Sequence, residues 1–398
     1  MLQISKRVQS LTPSATLAMS QRSAELKAQG IDVINMSIGE PDFDTPDFIK
    51  EAAKKAIDEN YSHYPPVPGY LSLRKAISDK LKRENSLDYT TDQIVVGNGA
   101  KQALCNVVMA VVNPGDEVVI PMPAWVSYVE MVKLAEGIPV EVATGLDQGF
   151  KITPQQLEKA ITPKTRLLML CSPSNPSGAI YTTEELEGLA KVLREHPDVL
   201  VLSDEIYEHI SYIGKPASIV DCEGMKERTV IINGVSKSYA MTGWRIGYMA
   251  GPLTIAKAVN KLQGQYTSSC SSIAQKAAEA AYTGPQECVK EMLDAFRRRR
   301  DLIMELAADI KEWKYAEPSG AFYFFPDVRA CLNKKTPAGK EINTVADYCM
   351  YLLEEVYVAC VDGAAFGAPG YMRLSYATSD EQIREAMRRI REATAALK

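Results

Sequence analysis

Between about residue 90 and residue 250, short continuous apolar runs alternate with stretches whose apolar residues recur every three to four positions. The runs predict strands over Gln93–Val96, Glu117–Ile120, Pro139–Val142, Arg166–Leu170, Val199–Leu202, Val230–Asn233 and Ile246–Ala250. Unbroken Val/Ile/Leu runs mark strands covered on both faces, hence a mostly parallel sheet. The stretches between them predict helices such as Lys101–Val112, stopped by Asn113-Pro114-Gly115-Asp116, and Thr183–Arg194, started by Thr182-Thr183-Glu184-Glu185. Alternation of this kind makes an α/β domain, whose ligands gather beyond the carboxyl ends of the strands.

The C-terminal third has another rhythm. A long helical pattern, Pro285–Ile310, leads to the aromatic run Gly320-Ala321-Phe322-Tyr323-Phe324-Phe325. A helix Val345–Glu355, a strand Tyr371–Tyr376 and a closing amphipathic helix Asp380–Ala396 are expected after it. This pattern describes a smaller α+β unit, completed by the first 45 or so residues. The expected division is 1–46 and 286–398 for the small unit and 47–285 for the large one. The run Arg297–Arg300 points in four directions around a helix and is flanked by Asp294 and Asp301. It is therefore read as a solvated, ion-paired face, not a nucleic-acid patch.

Composition narrows the class. With 46% hydrophobic and 24% charged residues, a chain of 398 residues has ample core for such units. A net charge of -5 gives no long-range attraction for nucleic acid or an anionic membrane. No apolar run approaches the roughly 18 residues of a membrane span. The opening Met1-Leu2-Gln3-Ile4-Ser5-Lys6-Arg7 lacks the apolar stretch of a secretory signal, so a cytoplasmic protein is expected. Eight cysteines show no CxxC spacing, and Cys105, Cys171 and Cys360 sit in apolar runs, as reduced cysteines acting as small hydrophobes do. His63, His196 and His209 are the only histidines, too dispersed for a metal site or a triad.

The chemistry concentrates at strand ends. Lys237 follows the run Thr229-Val230-Ile231-Ile232-Asn233, and Arg245 stands eight residues after it. Asp204 ends the run Val199-Leu200-Val201-Leu202, with Tyr207 three residues on. A lysine able to form a Schiff base, an aspartate for a pyridinium nitrogen and an arginine for a phosphate together suit pyridoxal phosphate. As an amine, Lys237 needs a pKa below the ordinary ~10.4. A desolvated Asp204 needs a cationic partner, unless it merely caps the following helix. The loop Ser172-Pro173-Ser174-Asn175-Pro176-Ser177-Gly178 can aim Asn175 at the ring, with a cis bond expected before Pro176. Gly97-Asn98-Gly99-Ala100-Lys101 opens a helix whose free N–H groups form an anion site. Trp125 either stacks on the ring or fills the core. Arg373, inside an apolar strand, calls for a bidentate anion: a substrate carboxylate or an internal ion pair.

At these residues the chain resembles the class I aminotransferases of pyridoxal-phosphate fold type I, and most closely the bacterial aspartate aminotransferases that meet the distal carboxylate with a lysine. The motifs run through nearly the whole chain. They are Pro13-Ser14-Ala15-Thr16, Gly39-Glu40-Pro41-Asp42-Phe43, Tyr64-Pro65-Pro66 with Gly69, Gly99-Ala100-Lys101-Gln102-Ala103, Asn175-Pro176-Ser177-Gly178, Ser203-Asp204-Glu205-Ile206-Tyr207, the Lys237 motif, Pro318-Ser319-Gly320-Ala321-Phe322-Tyr323 and Arg373-Leu374-Ser375-Tyr376-Ala377. The fold implied is a mostly parallel seven-stranded sheet between helices, with a smaller α+β domain built from both termini.

The resemblance also implies roles. Lys237 would be the Schiff-base lysine and general base, and Asp204 the pyridinium partner. Asn175 and Tyr207 would bond the ring hydroxyl and Trp125 would stack on the ring. The phosphate would be held by the backbone of Gly99, Ala100 and Lys101, by Ser236 and Arg245, and by Tyr64 of the neighbouring subunit, which makes the active unit a homodimer with shared sites. Arg373 and the Gly39 backbone would take the α-carboxylate, and Lys101 with Thr16 the side-chain carboxylate. No metal is implied.

The reaction implied is ping-pong transfer of the amino group of L-aspartate to 2-oxoglutarate. An aromatic or other amino-acid aminotransferase, or a lyase on the same scaffold, is the alternative. Two departures stand out. Gly99-Ala100-Lys101 replaces the commoner Gly-Gly-Lys, a change that leaves the backbone donors in place. Thr12 stands where relatives that accept prephenate commonly carry a lysine, which argues against that second substrate.

Overall fold

The structure is a computed structural model that describes residues 3–13 and 15–398, with the side chains of residues 15–18 left out. Strand β1 is Ile34–Asn35, and seven further strands form the central sheet: β2 Ile94–Asn98, β3 Glu117–Met122, β4 Ile138–Ala143, β5 Thr165–Cys171, β6 Leu200–Asp204, β7 Thr229–Gly234 and β8 Ile246–Ala250. Their order is β2-β8-β7-β6-β5-β3-β4. Pairs β3/β4, β3/β5, β5/β6 and β6/β7 are parallel, while β8 runs antiparallel to both β7 and β2. All seven expected strands are present, in a mostly parallel sheet. The central ones are buried along their length because helices cover both faces, among them Ala100–Val111, Thr183–Glu195 and Leu253–Tyr266. Thr183–Glu195 starts where its sequence says it should. Thr182 caps it, taking the Glu185 N–H at 3.2 Å, and the Glu185 carboxylate returns to the Thr182 N–H at 2.8 Å.

The remaining strands are small. They are β9 Tyr323–Phe324, β10 Lys334–Lys335, β11 Glu341–Ile342, β12 Val358–Ala359, β13 Val361–Asp362 and β14 Met372–Ser375. Strands β13, β14 and β9 make an antiparallel three-stranded sheet, and β1 pairs in parallel with β12, so chain from before residue 40 joins chain from after residue 355. A separate core wraps this region, built from the helices Glu287–Ala307, Val345–Glu355 and Asp380–Ala395 around Phe322, Phe324, Tyr348 and Leu374.

The run Arg297–Arg300 is not a solvated face throughout. Arg299 is only 7% exposed and grips Asp42 with two hydrogen bonds of 2.7 and 2.9 Å, while Arg298 pairs with Asp380. The desolvated guanidinium is tolerated because its fork meets a carboxylate in two places. All eight cysteines are free thiols.

Candidate functional site

A cavity of about 400 Å³ lies beyond the carboxyl ends of β5, β6 and β7, where the open α/β topology places ligands. Lys237 enters it from the turn after β7 and is half-buried, its ammonium donating to the Gly39 carbonyl. Burial pushes this amine down to about 8; Glu40 opposes the shift, and the positive charges of Arg373 and Arg245 add to it.

Asp204, the last residue of β6, is 4% exposed. Burial raises its carboxyl to about 6, against the pull of the hydrogen bonds it accepts and of the Lys237 charge. Its Oδ2 accepts from the Tyr128 hydroxyl at 2.6 Å, and its Oδ1 from the Ile206 N–H at 3.3 Å. The second bond closes a local turn and caps no helix, because residues 206–209 after Asp204 form turns only; the carboxylate still faces the cavity.

Arg373, on β14, reaches the cavity from the small sheet. It is 2% exposed, sandwiched between Tyr323 and Phe366 with centroids 4.6 and 4.8 Å from its guanidinium carbon. Its partners are neutral: the Asn175 Oδ1 at 2.9 Å and the Ser37 carbonyl at 2.6 Å. Its Nε has no partner among the described residues, and no carboxylate there pairs with it. The internal ion pair is therefore absent among those residues, leaving the guanidinium for an outside anion. The peptide before Pro176 is cis, as expected, and so are those before Pro123 and Pro173.

The residues expected to hold a phosphate gather at the start of the helix Ala100–Val111, whose first-turn N–H groups lack intrahelical partners. Two glycines bring the other parts close. A Cβ on Gly247 would lie 2.2 Å from the Ala100 nitrogen, and one on Gly99 (φ 78°) only 2.3 Å from Nη2 of Arg245. Arg245 itself holds φ at 59°, a conformation that costs a side-chain-bearing residue energy, and is tied down at the Thr242 carbonyl (2.9 Å). Ala100, Ser236 and Arg245 line the cavity, as does Lys101. The Lys101 ammonium sits 4.8 Å from the Trp125 ring centre, and burial, helped by Arg245, lowers its pKa.

Trp125 also lines the cavity and packs edge-on against Tyr128, with ring centres 5.6 Å apart. Tyr207 lines it too, its hydroxyl 2.7 Å from that of Tyr323. Gly39 stands at the entrance of Lys237. Tyr64 is not brought to this cavity: it is 96% exposed. Gly99 lies just outside the lining, and the Thr16 side chain lies outside the described part.

Tyr128, Tyr323 and Thr242 line the site without having been singled out from the sequence. Tyr323 belongs to a motif already quoted, and Thr242 lies between Lys237 and Arg245. Tyr128 lies three positions after Trp125, in the first turn of the helix Ser127–Leu134, and that nearness was the one signal it offered.

Comparisons with known proteins are consistent over almost the full length. The aminotransferase class I and II family model matches residues 31–390. The aspartate/prephenate aminotransferase of Nitrosomonas europaea is 48% identical over 392 residues, covering 98% of this chain and 99% of that protein. An aspartate aminotransferase of Rhizobium meliloti is 47% identical over 395 residues, covering 98% and 96%. The crystal structure of the Rhizobium meliloti aspartate aminotransferase superposes with a TM-score of 0.96 at 46% identity, covering all of both chains. That of the Thermus thermophilus aspartate aminotransferase with maleate gives 0.92 at 42%, covering 99% and 100%.

Proposed function

This chain belongs to the class I and II aminotransferases, and we propose that it carries the amino group of L-aspartate to 2-oxoglutarate, giving oxaloacetate and L-glutamate, with pyridoxal 5′-phosphate as cofactor. The observation that supports this reading is the charge balance of the cavity. Lys101, Lys237, Arg245 and Arg373 line it, against the single carboxylate of Asp204. Such a lining suits a phosphate together with a substrate that is anionic at both ends.

The donor set fits the cofactor. Lys237 is the attachment point. The buried Asp204 awaits a cation such as a protonated ring nitrogen, and the helix start at Gly99, Ala100 and Lys101, with Ser236 and Arg245, would take the phosphate. Asn175 and Tyr207 would bond the ring hydroxyl, and Trp125 would cover the ring face. When bound, the cofactor supplies an electrophilic carbon for amines and a sink for the electrons left at the substrate Cα.

The protein supplies the rest. Arg373, with the Gly39 backbone, holds the α-carboxylate and so fixes which Cα bond faces Lys237. Lys101, helped by Thr16, meets the side-chain carboxylate, which favours aspartate over uncharged donors. Lys237, its basicity lowered toward neutrality by burial, takes the Cα proton at Nζ and holds it for return. Asp204 stays ionised because Tyr128 donates to it. Tyr64, exposed on its own chain, would reach the phosphate in a partner copy, so the working form is a homodimer with shared sites. Residues 47–285 form the cofactor-holding unit, and 1–46 with 286–398 the smaller one. No helix among the described residues is long and apolar enough to cross a membrane, which accords with action in the cytoplasm on small molecules.

Some relatives are named for prephenate as well as aspartate. Thr12, in place of a lysine, argues against that acceptor here. The test is a half-reaction: holoenzyme mixed with L-aspartate alone should release about one oxaloacetate per chain while the cofactor absorbance changes to that of its amine form. Conversion by an aromatic or aliphatic amino acid but not by aspartate overturns the substrate assignment. Ammonia release without need of 2-oxoglutarate overturns the aminotransferase assignment.

A further inference from the structure

A second cavity, of about 590 Å³, shares a wall with the first. The chain leaving β6 serves both: Asp204, Ile206 and Tyr207 face the first, while Glu205, Glu208 and His209 face the second. Likewise Cys171 lines one and Ser172 the other.

Most polar groups in this second cavity already have partners. Glu208 is held by the fully buried Lys80, by Asn85 at 2.9 Å and by Asn233 at 2.7 Å. His209 bridges the Ser238 hydroxyl at 2.8 Å and Glu84 at 2.9 Å. Glu84, Glu208 and His209 have the spacing of metal ligands, but Lys80 already supplies a cation to both carboxylates, so no metal is assigned.

Glu205 is different. It is 6% exposed, and its Oε1 accepts from the hydroxyls of Ser203 and Ser218, while its Oε2 has no partner among the described residues. No cation among those residues pairs with it. Burial raises its carboxyl to about 7, against the pull of the two serines. A desolvated carboxyl of this kind gains most from a positively charged donor. Apolar side chains such as Leu87, Val289 and Leu293 line the same cavity. Lys215 and Lys290 also line it, are exposed, and form no ion pair among the described residues.

We propose that this cavity is a second binding site, for a small zwitterion whose amine reaches Glu205, whose apolar chain lies along Leu87, Val289 and Leu293, and whose carboxylate meets Lys215 and Lys290 at the mouth. Its occupant would press on the same short segment that carries Asp204 and Tyr207.

The test uses the full-length holoenzyme with the cofactor bond at Lys237 fixed by borohydride, so that no amine exchanges there. Calorimetric titration with 6-aminohexanoate should show saturable binding, one per chain, while hexanoate and n-butylamine bind about tenfold more weakly or not at all. Glu205→Gln, close to isosteric, should weaken 6-aminohexanoate at least tenfold, and the surface change Lys290→Glu severalfold. Should Glu205→Gln fail to fold, Ala217→Phe decides, because it adds bulk to the cavity from a half-buried wall position while leaving the Glu205 carboxyl in the chain, and should abolish binding. Absence of saturable binding to the wild type, or unchanged affinity in Glu205→Gln or Ala217→Phe, overturns the proposal. Neither result depends on the chemistry at Lys237.

Discussion

Replacing Tyr128 by Phe removes one oxygen and tests the electrostatic logic of the site. The hydroxyl donates to Oδ2 of Asp204 at 2.6 Å, while the ring packs edge-on against Trp125 and would stay in place. A hydrogen bond to a charged group contributes about 1.5–3 kcal/mol, or roughly one to two pKa units at about 1.4 kcal/mol per unit. Asp204 would then move from about 6 to roughly 7–8. Only the ionised carboxylate can pair with a protonated ring nitrogen. At low pH, where neither form is mostly ionised, cofactor affinity should fall roughly ten- to a hundredfold, the full pKa difference. Above about pH 9 both are ionised and the two affinities should converge. The assay is a titration of apoenzyme with pyridoxal phosphate by absorbance or fluorescence, from about pH 5 to pH 9. A loss of equal size at every pH, or none, would refute the claim that Tyr128 works by holding Asp204 ionised.

Lys237→Ala should abolish amino transfer while leaving the circular dichroism unchanged, and retained turnover would remove Lys237 as the base. In the wild type, the rate of cofactor attachment by the apoenzyme should rise with pH and level off above about 8, because only the neutral amine attacks and its fraction grows until that point. Lys101→Ala should cut kcat/KM for aspartate by roughly ten- to a hundredfold, the worth of one charge-assisted hydrogen bond, and spare an uncharged donor. Equal loss toward both donors would show that Lys101 does not set specificity. Glu208→Gln leaves the fully buried Lys80 ammonium with the more distant Glu84 carboxylate at 3.6 Å and Asn85 at 3.0 Å, and should cost about 1–3 kcal/mol in denaturant unfolding, less than a buried charge left wholly unpaired. The acid profile gives the matching sign. Burial pushes Glu208 up, but Lys80 and His209 outweigh it and hold the carboxyl at about 2. Its contribution is therefore whole above the unfolded value near 4.5 and is lost as pH falls through about 2; a wild type as stable at pH 2.5 as at pH 5 would contradict it.

What could be read in the sequence was local. The inner strands of the central sheet carry continuous apolar runs, the edge strand β4 is broken by Glu141, and Arg245 follows Lys237 by eight residues. The strand ends were less legible. Strand β2 continues to Asn98 and β6 to Asp204, because neighbouring strands still supply ladder partners where the side chains have turned polar. Periodicity sees the side chains and not the ladder. Contacts between distant segments were invisible. Tyr128 meets Asp204 across 76 positions and Tyr207 meets Tyr323 across 116, and neither pairing leaves a trace in spacing. The arginine run failed for the same reason. A helix-face argument weighs neighbours three and four residues away, and the decisive partner of Arg299, Asp42, stands 257 residues earlier.

The long-range contacts share one purpose. Burial acts against the charged form of Asp204, Lys237 and Arg373, the three groups on which the proposed chemistry turns. Left to relax, a buried group sheds its charge or swings toward water. Here a fixed neighbour opposes this at each without cancelling it: Tyr128 for Asp204, the Gly39 carbonyl for Lys237, and the Tyr323–Phe366 sandwich with Asn175 for Arg373. None of those neighbours is an opposite charge that an incoming ligand would have to displace. The framework thus keeps three charges under-compensated within one cavity, and a ligand bearing the complementary charges relieves them without first breaking an ion pair. Because such a ligand binds only the folded chain, its affinity adds to folding stability, and the strain of holding these charges is offset when the site is filled.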